Sequence, residues 1–341
     1  MSWKGFEALP PYLGGKRRLA RLVFARLAEV VSRERWGSLT FVDPFMGAGS
    51  ISLYAKAQGF GVVASDIAER SAIVGRALLE NSHVRLKLGD VRRLMAPAVV
   101  ECRRIAEEGL VPQTLDGGQA AFVDLALHNA GQLSEPKQSL LKLVLIKWLL
   151  GLHPMSSLDA GDARAAAEEE YDEVSPGRLA HYVKHAGAPT MKALWRLGRQ
   201  VNQGVFPGRA RVEKRDVFEF LPATRGDVLY LDPPYPGTSS YERMYEVLDL
   251  LLEGHRHRVS SFSSSSPPLQ ELFEAAGHIP IWAISMGNAV YGEAELASML
   301  GRRRRNVSSL AVPYRHLAGL AGRGKNEANR EFIFVAWDDV P

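Results

Sequence analysis

Two apolar runs, residues 39–42 and Val62-Val63-Ala64-Ser65-Asp66, flank the turn Asp43-Pro44-Phe45-Met46-Gly47-Ala48-Gly49-Ser50 and a helix-like segment at 51–58. Strands joined by a helical crossover lie parallel, and a parallel sheet needs helices on both faces. Such sheets take ligands at the C-terminal ends of their strands, where Asp43 and Asp66 fall. Gly47 and Gly49 let the backbone approach a ligand and adopt positive φ. Asp66, about 20 residues past the turn, stands where an acid accepts the hydroxyls of an adenosine ribose. A third glycine in G-x-G-x-x-G register and a Gly-Lys-Ser/Thr sequence are both missing, which weakens the dinucleotide and P-loop readings.

The alternating strand and helix pattern resumes at 211–218 and continues through 228–231, 279–285 and 331–337, whereas 95–206 reads as long helical tracts broken by Glu168-Glu169-Glu170 and Ser175-Pro176-Gly177. The expected fold is a Rossmann-like, doubly wound, mostly parallel α/β sheet with an inserted helical subdomain. Residues 1–94 form the cofactor-binding half, 95–206 the insert, and 207–341 the second half. Residues 16–31 carry helical periodicity. Residues 140–152 read as a buried helix, too short to cross a bilayer and interrupted by Lys142 and Lys147. The serine-rich 260–266 reads as a loop, and Arg302 to Arg305 with Arg315, Arg323, Lys325 and Arg330 as a basic stretch suited to phosphates.

At 341 residues the chain exceeds the usual size of a single core. A net charge of +4 suits a polyanionic partner without demanding one. One cysteine, Cys102, excludes an internal disulfide and a cysteine cluster for zinc, and fits a reducing cytoplasm. The first residues lack the apolar core of a signal peptide. His181 and His185 lie one helical turn apart without a third ligand, so no metal is expected. His255 and His257 alternate with Arg256 and Arg258, a pattern that suits metal or phosphate but is more often an exposed polar turn.

The run 228–231 ends in Asp232-Pro233-Pro234-Tyr235. If the substrate is a planar base with an exocyclic amino group, each residue has a use. The carboxylate accepts one N–H, and the two prolines hold the Pro233 carbonyl rigidly as a second acceptor. Tyr235 offers a face for stacking, worth about 1–3 kcal/mol per base. An ordinary strand exit also uses such residues.

Together with Tyr12-Leu13-Gly14-Gly15-Lys16, the glycine turn and this tetrad give the chain a specific resemblance to the Dam-type (alpha-group) N6-adenine DNA methyltransferases. The order of motifs matches over residues 10–90 and 211–337, while the helical insert matches no motif. The resemblance implies S-adenosylmethionine as cofactor and double-stranded DNA as substrate, with the target adenine flipped out. It places Tyr12, Gly14 and Lys16 near the methionine part of the cofactor. Asp43, Phe45, Gly47 and Gly49 surround the amino acid moiety, Asp66 holds the ribose, and Asp216 with Val217 reads the cofactor adenine. Asp90 is the rival to Asp216, and either is also explicable as a helix N-cap. Catalysis falls to Asp232, Pro233, Pro234 and Tyr235. N4-cytosine or RNA adenine methylation, or a silent nucleic-acid-binding homologue, are the alternatives. A cognate restriction enzyme, and a monomer or weak dimer with no membrane partner, complete the expectation.

Overall fold

The computed structural model describes residues 3–12, 15–100, 115–152, 187–234, 245–254, 262, 269–288, 291–313 and 330–338. The chain divides into two compact units, one of Met1–Gly15, Ala68–Pro207 and Tyr241–Arg258, the other of Lys16–Ile67, Gly208–Ser240 and Val259–Pro341. Its strands are β1 (Thr40–Asp43), β2 (Gly61–Asp66), β3 (Ala210–Lys214), β4 (Val228–Leu231), β5 (Ile281–Gly287), β6 (Asn306–Pro313) and β7 (Arg330–Trp337). Among the described residues the α-helices are α1 (Ala20–Leu27), α2 (Ser50–Ala57), α3 (Glu69–Val74), α4 (Leu88–Arg92), α5 (Gly117–Gly131), α6 (Lys137–Leu150), α7 (Met191–Val201), α8 (Val217–Ala223), α9 (Glu246–Glu253), α10 (Leu269–Ala275) and α11 (Glu293–Gly301).

All seven strands belong to the second unit, in the order β3-β2-β1-β4-β5-β7-β6. The first five run parallel, and β7 lies antiparallel between β5 and β6. Alternate residues of a strand face opposite sides, and the sheet uses both. One side sends Val42, Leu229, Leu231, Trp282, Ile284, Met286, Phe332 and Phe334 into a core shared with Phe220 and Leu221 of α8, Leu272 and Phe273 of α10 and Leu296 of α11. On the other, Phe41 stacks on Phe24 of α1 at 5.5 Å and on Tyr230 at 6.3 Å, with Trp36 and Phe60 completing the aromatic cluster.

The first unit is helical. Its centre is α6, buried almost throughout and packed on α3, α5 and α7. Lys147 interrupts the apolar run expected to be buried, and its ammonium is satisfied by the carbonyls of Glu7 and Leu9 at 2.7 and 2.8 Å. The N-terminal segment is thereby fastened to the helix core.

Two expectations change. The helix expected at 16–31 starts as a short 3₁₀ turn and runs only from Ala20 to Leu27 as α-helix, after which Val30 and Val31 N–H both donate to the Leu27 carbonyl in a closing turn. Residues 306–313, expected within a basic surface stretch, form edge strand β6, whose alternation of exposed and half-buried residues hides it from an apolar count. Arg304 leaves that basic surface altogether. Buried, it donates to the Gly277 and Ile279 carbonyls and lies 4.1 Å over the Trp282 ring. Residues 315, 323 and 325, the serine run except Phe262, and the four histidines named above lie outside the described residues.

Candidate active site

In the second unit, the C-terminal ends of β1, β2, β3 and β4 each deliver one acid: Asp43, Asp66, Asp216 and Asp232. The turn after β1 is closed by Met46 N–H donating to the Ser65 carbonyl at 3.0 Å and Gly47 N–H donating to Asp66 Oδ2 at 2.8 Å. Gly47 and Gly49 adopt φ of 53° and 75°, left-handed values that a side chain would strain, and Gly49 thereby starts α2. Arg215 N–H donates to the Asp66 carbonyl at 3.1 Å, and Ser65 Oγ donates to the Arg215 carbonyl at 2.9 Å. These bonds tie the ends of β2 and β3. Asp216 then caps α8 by accepting the Phe218 N–H at 2.9 Å.

Asp43 is buried at the base of the turn and accepts Ser52 Oγ–H at 2.5 Å and Phe45 N–H at 3.3 Å. Burial pushes its carboxyl up to about 7 against the pull of the Ser52 hydrogen bond, and the charges of Asp232 and Asp66 add to the rise. Phe45 sets its ring edge against Phe262 at 5.2 Å, and Phe262 stacks on Phe218 at 5.7 Å. Val217 opens α8 with its side chain in the core.

At the end of β4, Asp232 is 17% exposed and its Oδ1 lies 2.8 Å from the Lys16 ammonium, itself 4% exposed. The same ammonium lies 3.5 Å from Glu331, whose side chain is 0% exposed. Pro233 is buried and Pro234 half-buried behind the acid. Beneath them Tyr230 shares a 2.5 Å hydrogen bond with Ser285 Oγ, and burial, then the Asp232 charge, drives its phenol well above its ordinary value.

Tyr12 belongs to the first unit, where it stacks on Tyr245 at 4.9 Å; the Arg70 guanidinium lies 4.6 Å over Tyr245 and pairs with Asp249. Asp90, the rival adenine reader, is in that unit too. Its Oδ2 accepts the Lys87 N–H and its Oδ1 the Lys137 ammonium, each at 2.8 Å. Burial raises its carboxyl, but these partners outweigh that and hold it below the ordinary value. Asp90 is occupied as a helix cap and ion-pair partner. Gly14 and Tyr235 lie outside the described residues. Sequence reasoning did not single out Glu331, Ser52, Phe218 or Phe262. Among the described residues no cluster of His, Cys, Asp or Glu is arranged for a metal, and no helix is long and apolar enough to cross a membrane.

A parallel sheet closed by an antiparallel β7 between β5 and β6, with acids at consecutive strand ends, defines a class I methyltransferase architecture. Residues 12–98 match the family described as D12 class N6 adenine-specific DNA methyltransferase. The type II methyltransferase M2.HphI of Haemophilus parahaemolyticus is 25% identical over 341 residues, spanning 95% of this chain and 96% of that protein. The rRNA methyltransferase aviRa from Streptomyces viridochromogenes superposes with a TM-score of 0.34 and 16% identity, over 96% of this chain and 88% of that one. Over residues 12–98 the chain is thus similar to the D12-class N6-adenine DNA methyltransferases, and a methyltransferase of this kind takes S-adenosylmethionine as its methyl donor.

The strand-end residues fit that cofactor by their chemistry. It presents an ammonium, two ribose hydroxyls and an adenine amine, all donors, and Asp43, Asp66 and Asp216 are acceptors. Ser50 Oγ, in the first turn of α2, is buried with no hydrogen-bond partner among the described residues, as a side chain awaiting a ligand group would be.

Proposed function

We propose that the chain methylates N6 of adenine at one specific sequence in duplex DNA, with the target base turned out of the helix. The observation that carries the reading is the carboxylate at the end of β4, fixed by Lys16 at 2.8 Å and followed by two prolines. An exocyclic adenine nitrogen is a poor nucleophile because its lone pair is delocalised into the ring. Asp232 accepts one of its hydrogens and the Pro233 carbonyl the other, which localises the lone pair and orients it for in-line attack. S-adenosylmethionine supplies the electrophilic methyl group when bound. Asp66 receives its ribose hydroxyls and Asp216, with the Val217 backbone, its adenine. Asp43, Phe45, Gly47 and Gly49 surround the amino acid moiety; Tyr12, Gly14 and Lys16 flank the methionine part. Phe218 and Phe262 add an apolar wall beside Asp216, and Pro234 and Tyr235 shape the base pocket.

The stretch 95–206 serves as the target-recognition region. Its helix α7 buries Leu194, Gly198 and Val201 and exposes Lys192, Arg196 and Arg199 on the opposite face. No acid occurs from 187 to 209, so this face is uniformly positive. A cytoplasmic location goes with the substrate, and a cognate restriction enzyme and a monomer or weak dimer complete the proposal.

Incubation with S-adenosylmethionine and plasmid DNA, followed by nucleoside mass spectrometry and methylation-aware sequencing, tests the reading. N6-methyladenine at one sequence is expected, and Asp232→Ala abolishes it while cofactor binding persists. N4-methylcytosine, or near-normal turnover in Asp232→Ala, overturns it.

A further inference from the structure

Glu331 begins the inner register of β7, opposite Gly287 of β5 and Val312 of β6. A carboxylate wholly removed from water costs several kcal/mol unless an opposite charge compensates it. One cation in reach is the Lys16 ammonium at 3.5 Å, and that ammonium also sits 2.8 Å from Asp232. One buried cation therefore bridges a strand-borne acid and the acid of the strand-end tetrad.

The two acids have different supports. Asp232 stands where β4 ends and the chain leaves the sheet, whereas Glu331 is held by a strand paired along both edges. A lysine has a long flexible stem, and ordering it costs side-chain freedom. With Asp232 alone, Lys16 fixes the carboxylate no better than the strand exit is itself fixed. With Glu331 behind it, the ammonium is held from the sheet. Its single charge is also divided between two carboxylates, so Asp232 is oriented without being fully neutralised as an acceptor.

We propose that Glu331 is a positioning residue for methyl transfer, acting through Lys16 on Asp232. The inference rests on the reading of Asp232 as the group that grips the target amine. A small displacement of such a group costs up to about 100-fold in rate, and Glu331 supplies the rigid end of the chain of charges that prevents it.

The test compares Glu331→Gln, Glu331→Asp, Lys16→Met and the Glu331→Gln/Lys16→Met double variant in full-length protein. Each is followed by methylation kinetics, cofactor calorimetry and thermal melting. Glu331→Gln, nearly isosteric, is expected to lower kcat by roughly 10- to 100-fold, with KM for DNA and cofactor affinity changed less than about twofold. Glu331→Asp, which keeps the charge, recovers part of kcat. In the Lys16→Met background, Glu331→Gln adds little further loss, because residues acting as one unit are non-additive.

Losses that multiply in the double variant overturn the inference, as does wild-type kcat in a Glu331→Gln protein. If Glu331→Gln melts below the assay temperature, Glu331→Asp decides alone. A kcat loss at unchanged cofactor affinity supports the bridge, and unchanged kcat refutes it. Near-normal turnover of Asp232→Ala instead removes the reading of Asp232 itself, a failure separable from that of Glu331.

Discussion

The acids at the strand ends differ in what their neighbours leave them to do. Asp66 uses one oxygen on the Gly47 N–H, so it both closes the glycine turn and presents a carboxylate where the ribose is proposed to lie. Asp66→Ala is expected to weaken cofactor binding by roughly 1.5–3 kcal/mol, the range for a hydrogen bond to a charged group. Asp66→Asn retains an acceptor for the turn and loses less. Calorimetric titration checks both, and an unchanged dissociation constant for Asp66→Ala removes the ribose role. Lys16 is a different case, because it compensates two acids. Lys16→Met leaves Glu331, at 0% exposure, without that cation and is expected to cost about 3–5 kcal/mol of stability. Asp232→Ala leaves Lys16 paired with Glu331 and costs less. Urea denaturation of the two variants gives the order directly, and equal losses would mean that Glu331 draws little from the ammonium.

At the level of elements, the strands nearest the site were legible because their local patterns are strong. β4 occupies the expected 228–231, and β1 lies one residue beyond the expected 39–42. The strand-end positions of Asp43, Asp66 and Asp232 were legible for the same reason, since each closes or follows an apolar run, while Asp216 follows only the short alternation of β3. β6 was not, because an edge strand with half its residues in solvent carries serines where an inner strand carries valines. Arg304 was read as surface because composition does not show that a guanidinium will stack on Trp282 and close backbone carbonyls. Glu331 and Phe262 meet their partners only through tertiary contacts, and no local spacing announces them. The face of α7 offers a test at this scale. Lys192, Arg196 and Arg199 make no side-chain hydrogen bond or ion pair among the described residues, so their charges are available to phosphates. Each phosphate contact contributes about 0.9 to the slope of log affinity against log salt. Reversing all three to glutamate is expected to weaken DNA binding and reduce that slope by roughly 3, with cofactor affinity unchanged. A slope equal to wild type would move the DNA to another face.

For the whole molecule, the shifted carboxyls act in different pH windows and in different units. Asp90 and Asp116, both in the first unit, are held below the ordinary carboxylate value. Burial raises Asp90 but its Lys137 and Lys87 partners prevail, and the Gly187 N–H leads the lowering of Asp116. Their stabilisation is complete above the ordinary value and is lost as pH falls through the lowered ones. Asp43, in the second unit, has the opposite sign. Between the ordinary carboxylate range and about 7, the folded protein keeps the Asp43 proton while the unfolded chain has released it. The folded state then binds more protons, so stability falls as pH rises through that window, and above about 7 the whole penalty is present. Lys56, pushed down to about 8 by burial, acts only above that value. Urea denaturation from pH 5 to 7.5 therefore isolates Asp43 among these groups. Wild type is expected to lose stability toward pH 7.5, and Asp43→Asn, which keeps an acceptor for the Ser52 hydroxyl, to lose distinctly less. A difference between the two proteins that stays constant across the range would show that Asp43 is ionised in the folded state throughout. The buried acid would then need a compensating charge that its Ser52 and Phe45 hydrogen bonds do not supply.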